Sequence, residues 1–96
     1  MIASFGNRVT SDLFHGISSA KARRLPPQIK ESVLSKLDIL NAATSLDDLR
    51  SPPGNRLEAL KGDYAGFHSI RVNAQWRIVF RWNDSSAYDV SVIDYY

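Results

Sequence analysis

A small α+β fold, with helices first and an antiparallel (mixed) β-sheet packed against them, is what this chain of 96 residues predicts. Three observations carry that expectation. Apolar residues recur at helical spacing between Gln28 and Ala43 and alternate with period two between His68 and Trp82. Asn73, Ala74 and Gln75 interrupt the second pattern where a chain reversal is needed. The length fits one domain, residues 1–96, with one modest core.

Met1 to Phe5 is a short apolar segment closed by Gly6, and it is expected to join the sheet as a strand. Thr10 or Ser11 is placed to cap a short helix through His15, with Gly16 ending it. Ser18 to Ala20 reads as a loop, followed by the basic cluster Lys21, Arg23 and Arg24 on a loop from Lys21 to Leu25. Pro26 and Pro27 open the long helix, because the first helical turn needs no amide donor. Along it Ile29, Val33, Leu34, Leu37 and Leu40 make one stripe, with Lys30, Glu31 and Asp38 off it. Thr44 or Ser45 caps a further helical turn through Leu49, with Asp47 and Asp48 near its positive end. Ser51-Pro52-Pro53-Gly54 stops that turn.

Arg56 to Lys61 is a strand candidate, and Gly62 to Gly66 a loop. In the hairpin that follows, Ile70 and Val72 fall on one face, Ser69 and Arg71 on the other. Trp76, Ile78, Phe80 and Trp82 share a face, while Arg77, Val79 and Arg81 point the opposite way. The helix stripe is expected to cover the apolar face, which leaves a face that bears arginines. Asn83 to Ser86 makes another turn, and Tyr88 to Ile93 the last strand, with Val90 and Val92 on its apolar side.

Charge sharpens the picture. The net charge is +2, yet residues 56–82 carry five Lys/Arg against two acids, while residues 83–96 carry three Asp and neither Lys nor Arg. A local cationic surface attracts a phosphate backbone even when the total charge is small; the plainer reading is a solvated sheet face with scattered ion pairs. There is no cysteine, which excludes disulfides and thiolate chemistry and fits a cytoplasmic protein. No apolar run approaches the ~20 residues of a membrane span, so no membrane partner is expected. His15 and His68 sit in different elements without ligand-type spacing, so neither a metal nor a cofactor is expected, and His68 falls on the apolar side of its strand as a packed histidine would. What remains is a set of cationic and phenolic groups, Lys61, Arg71, Arg77, Arg81, Tyr95 and Tyr96, with the carboxylates Glu58 and Asp94.

Several blocks in this order resemble one family. Pro52-Pro53-Gly54-Asn55-Arg56-Leu57-Glu58, Leu60-Lys61-Gly62-Asp63, His68 to Asn73, Gln75-Trp76-Arg77, Phe80-Arg81-Trp82 and Ile93-Asp94-Tyr95 are similar to the HigB-type toxins. These are the plasmid maintenance system killer branch of the RelE/ParE superfamily, and the resemblance spans essentially the whole chain. It implies a RelE-like sheet flanked by N-terminal helices. It implies a toxin acting as an mRNA interferase, a ribosome-dependent endoribonuclease. It also implies a HigA-type helix-turn-helix antitoxin as partner, with operator DNA reached only through that antitoxin.

By position, Lys61 and Arg77 match family basic residues at the RNA site, and Asp94 and Tyr95 match the C-terminal Asp-Tyr pair. Two positions depart. Tyr96 stands where many relatives end in histidine, and Glu58 where some carry an active-site histidine. Without either imidazole the acid–base step lacks a group that titrates near neutrality, so cleavage is expected to be weak.

The chemistry that fits is attack of a ribose 2′-OH on the adjacent phosphate, with no metal required. Arg77 and Lys61 neutralise the added negative charge, Glu58 or Asp94 is the candidate base, and Tyr95 or Tyr96 the candidate acid. Arg71, Arg56, Lys21, Arg23 and Arg24 are candidate RNA or ribosome contacts. The alternative is a module that binds RNA or the ribosome without cutting, or a co-repressor partner of the antitoxin.

Overall fold

Asn7 starts the first helix. Its side chain accepts hydrogen bonds from the Thr10 amide (3.1 Å) and hydroxyl (2.6 Å), so the cap lies three residues before the expected Thr10 and the helix, α1, runs Arg8–Phe14. Thr10 is freed for another task described below. The computed structural model describes residues 1–94, and it places Lys21 and Arg23 in a one-turn helix, α2, Ala20–Arg23, rather than in a loop. Ser19 caps it by accepting from the Ala22 amide (3.1 Å), and buried Ala22 ties it to the core. Pro27 opens the long helix α3, Pro27–Ala42, as expected of proline in a first turn. Val33, Leu37 and Leu40 are fully buried along it, each contributing about 1.5–3 kcal/mol of burial before entropy is set against it.

The segment after α3 is a 3₁₀ turn, Leu46–Arg50, closed by a capping box between Ser45 and Asp48. The Asp48 carboxylate accepts from the Thr44 amide (2.9 Å), the Thr44 hydroxyl (3.1 Å) and the Ser45 amide (3.2 Å). Those donors hold its pKa below the ordinary aspartate range, the Thr44 amide first among them. Asn55, fully buried, pins the following loop: its amide donates to the carbonyls of Leu49 (3.2 Å) and Ser51 (3.3 Å), and its oxygen accepts from Lys36.

Four strands follow in sequence order: β1 Glu58–Ala59, β2 His68–Arg71, β3 Trp76–Asn83 and β4 Ser86–Asp94, all antiparallel neighbours. The strand expected over Arg56–Lys61 shrinks to two residues because Arg56 sits in the left-handed region (φ 45°). Asn73 makes the β2–β3 turn by accepting from the Gln75 and Trp76 amides (2.8 Å each). Asp84 and Ser85, at φ 48° and 64°, form the tight β3–β4 reversal.

Helices cover one face only. Ile70, Ile78, Phe80, Ala87, Val90 and Val92 meet Leu13, Val33, Leu37 and Leu40 in a single apolar cluster. His68 stacks on Phe80 (6.2 Å between centroids) at the edge of this cluster. The outer edge of β4 is closed by the N-terminus, which runs parallel to it through bridges Ile2–Ala87 and Phe5–Val90. The expected first strand therefore joins the sheet, as two isolated bridges. Thr10 completes the closure, its hydroxyl accepting from the Val92 amide (2.8 Å).

Candidate functional site

Opposite the helical layer, the sheet presents Ser69 and Arg71 from β2, Arg77, Val79 and Arg81 from β3, and Tyr88, Ser91 and Ile93 from β4. These residues pair directly across the ladder, and directly paired residues share a face. The arginine-bearing face predicted from alternation exists and is not covered by helices. It is not a plain solvated surface, however. Val79 is buried, and it shares a concavity with Tyr64 and Phe67 from the loop before β2. Tyr64 and Phe67 meet edge-on at 5.6 Å.

Arg77 is the main departure from the sequence reading. It is only 5% exposed, so it is a planted guanidinium and not a surface one. Its Nε donates to Ser69 Oγ (2.8 Å), its Nη2 donates to the Arg56 carbonyl oxygen (2.8 Å), and the Glu58 carboxylate lies 3.9 Å away. The left-handed turn at Arg56 is what aims that carbonyl back at the sheet. Ser69, fully buried, was not singled out from sequence; the available signal was its place on the arginine side of β2.

Arg71 stands directly opposite Arg77 in the ladder. Two like charges in that position repel, and each is turned aside by its own hold: Arg77 toward β1, Arg71 toward the hairpin through a bond from Nε to the Asn73 carbonyl oxygen (3.0 Å). Lys61, exposed, begins the 3₁₀ turn Gly62–Tyr64 at the end of β1. Arg56 is exposed, and Glu58 keeps a carboxylate that is 52% exposed on the same face as Ser69. So Arg56, Glu58, Ser69, Arg71 and Arg77 converge at one end of this face, and Lys61 lies further along the chain, past the bond from the Leu60 amide to the Phe67 carbonyl oxygen.

The remaining candidates are placed differently. Asp94 pairs with Trp76, so the ladder sends its side chain off on Trp76's side, and its carboxylate accepts from Gln75 Nε2 (2.8 Å) at the hairpin. Lys21 and Arg23 lie on α2, which packs against α1 in the helical layer, and Arg24 caps that helix. The structure does not bring these three to the Arg77 end. Tyr95 and Tyr96, the candidate acids, lie outside the described residues.

Known proteins extend this picture. The family described as RelE-like toxin of type II toxin-antitoxin system HigB matches residues 5–96. Toxin HigB-1 of Vibrio cholerae is 49% identical over 65 residues, 68% of this chain and 68% of that one. Endoribonuclease HigB of Proteus vulgaris is 33% identical over 97 residues and covers 100% of both chains. Among solved structures, the YoeB–YefM complex from Staphylococcus aureus superposes with a TM-score of 0.62 at 12% identity, covering 100% of this chain and 98% of the other. That likeness speaks for the α+β, RelE-like architecture.

Proposed function

For a chain that belongs to the RelE-like HigB toxins of type II toxin-antitoxin systems, we propose endoribonuclease action on ribosome-bound messenger RNA, with a HigA-type antitoxin as its partner. The observation that carries this reading is the convergence of Arg56, Arg71 and the planted Arg77 at one end of the sheet face opposite α1 and α3. Cations gathered there attract an anion, with exposed Arg56 and half-buried Arg71 as its contacts and Arg77 as a fixed charge behind them, and a phosphodiester is such an anion. The 33% identity to Endoribonuclease HigB over full length supports the same reaction class.

In this mechanism Arg77 is a fixed charge. Held by Ser69 and the Arg56 carbonyl, it needs no reorganisation as negative charge gathers on the phosphorane, which is where a preorganised donor is worth most. Arg71, half-buried, and Lys61, exposed, make the solvent-side contacts. Glu58, close to Arg77 and open to water, is proposed to take the 2′-OH proton, and Tyr95 or Tyr96 to protonate the leaving 5′-oxygen. The ribosome supplies in-line geometry, and positioning contributes about 7–11 kcal/mol, enough for modest acid–base groups to suffice.

The test is to map 5′ ends on translated and untranslated message with purified protein. New ends on translated message only, reduced about 10²-fold in Arg77→Lys and clearly reduced in Lys61→Ala and Glu58→Gln, support the reading. Intact message on stalled ribosomes assigns the protein to a binding role instead.

A further inference from the structure

The opposite end of the same sheet face holds a second concavity of about 500 Å³, lined by Gly66, Arg81, Trp82, Asn83, Tyr88 and Asp89. We infer that it is a nucleobase subsite, which receives a flat base presenting an amino group, a cytosine, adenine or guanine in preference to uracil. The inference deepens the RNA reading above, because it lies on the same face, four residues along β3 from Arg77.

Its floor is a prepared stacking surface. The Arg81 guanidinium carbon lies 4.6 Å from the centroid of the Phe67 ring, so one side of the cation is already occupied by an aromatic plane. Its Nε lies 3.4 Å from the Asp89 carboxylate, and the two side chains are 57% and 53% exposed. An exposed pair like this contributes little to stability, so its orientation is better explained by what it presents. The charges cancel locally, which disfavours a bare phosphate. A base stacks on guanidinium and aromatic planes, and a carboxylate accepts readily from an exocyclic amino group, whereas the N3–H donor of uracil lies between two carbonyl oxygens that repel it.

The wall is built at some expense of backbone conformation. The β3–β4 register slips by one between Val79 and Arg81, so β4 carries an extra residue there, and Asp89 sits at φ 53°. The N-terminus braces this bulge: the Asp89 amide donates to Ser4 Oγ (2.9 Å), and a Cβ at Gly6 would press on Ser91 Oγ and stand 2.7 Å from the Asp89 carbonyl oxygen. A bulge that re-aims one side chain and is braced from a distant segment is a recurrent device beside binding sites.

The experiment uses the full chain carrying Trp76→Phe, so that Trp82 is the only indole, and follows its fluorescence on titration with the four nucleoside 5′-monophosphates. The expected result is saturable quenching, stronger for CMP, AMP and GMP than for UMP, and about tenfold weaker after Arg81→Ala. Asp89→Asn, in which asparagine tolerates the left-handed backbone, is expected to erase the preference over UMP while retaining stacking. Quenching equal in Arg81→Ala, equal for UMP and CMP, or absent for all four overturns the subsite. A ribosome arm then separates the source of the base: in Arg81→Ala, altered base preference near the mapped cuts indicates message, and unchanged cut sites with weaker ribosome association indicate ribosomal RNA. Because nucleotide binding is read without cleavage, loss of the subsite and loss of the endonuclease reading are distinguishable.

Discussion

A serine hydroxyl and one backbone carbonyl help to fix what Arg77 can do. Ser69 Oγ and the Arg56 oxygen fix two donors of a guanidinium that is otherwise enclosed, so the residue acts by charge and position. Ser69→Ala is therefore expected to lower stability by about 1 kcal/mol in urea titration and to reduce cleavage beyond what the stability loss explains. Asp48 gives a separate prediction on pH. Its folded pKa is depressed by the Thr44 and Ser45 donors, so its contribution is complete above the unfolded pKa and is lost as pH falls through the folded value. Asp48→Asn should flatten the acid limb of the stability profile below about pH 4, and leave its shape above about pH 5 unchanged. Residue identities alone hid the burial of Arg77. Alternation assigns a side, and it carries no information about a carbonyl that a left-handed Arg56 folds back over that side. The Asn7 cap was hidden for a different reason: Asn7, Thr10 and Ser11 all have capping chemistry, and the edge of β4 claims Thr10.

At the scale of elements, β4 is an edge strand that the N-terminal segment closes. Ala3 and Gly6 amides donate to the Ala87 and Val90 carbonyls (2.7 and 2.8 Å), and the Ala87 and Val90 amides return bonds to Met1 and Ser4 (2.8 and 3.1 Å). Gly6→Ala forces a methyl into the bulge and is expected to cost about 1–3 kcal/mol, with faster hydrogen exchange at the Ala87 and Val90 amides. Ser85→Gly should act the other way, raising stability by about 1 kcal/mol, because glycine occupies φ 64° without the Cβ clash. Long periodic elements were legible: α3 and the two hairpin strands fall within a few residues of their expected limits. Short ones were not. A four-residue α2 offers less than a full period of pattern, and the aspartate bulge in β4 leaves no mark that alternation would register.

For the whole molecule, one sheet divides two tasks. Its helical side buries the apolar cluster, and its other side gathers the cations at one end and the Arg81–Asp89 concavity at the other. Among the described residues no helix is long and apolar enough to cross a membrane. The basic cluster on α2 belongs to the helical layer, where α2 packs against α1. The most direct measurement of which face meets RNA is the set of arginine Nε–H resonances on titration with a short single-stranded RNA. The account predicts movement of Arg71, Arg77 and Arg81, with Arg8, Arg23 and Arg24 stationary; movement confined to the latter three would contradict it.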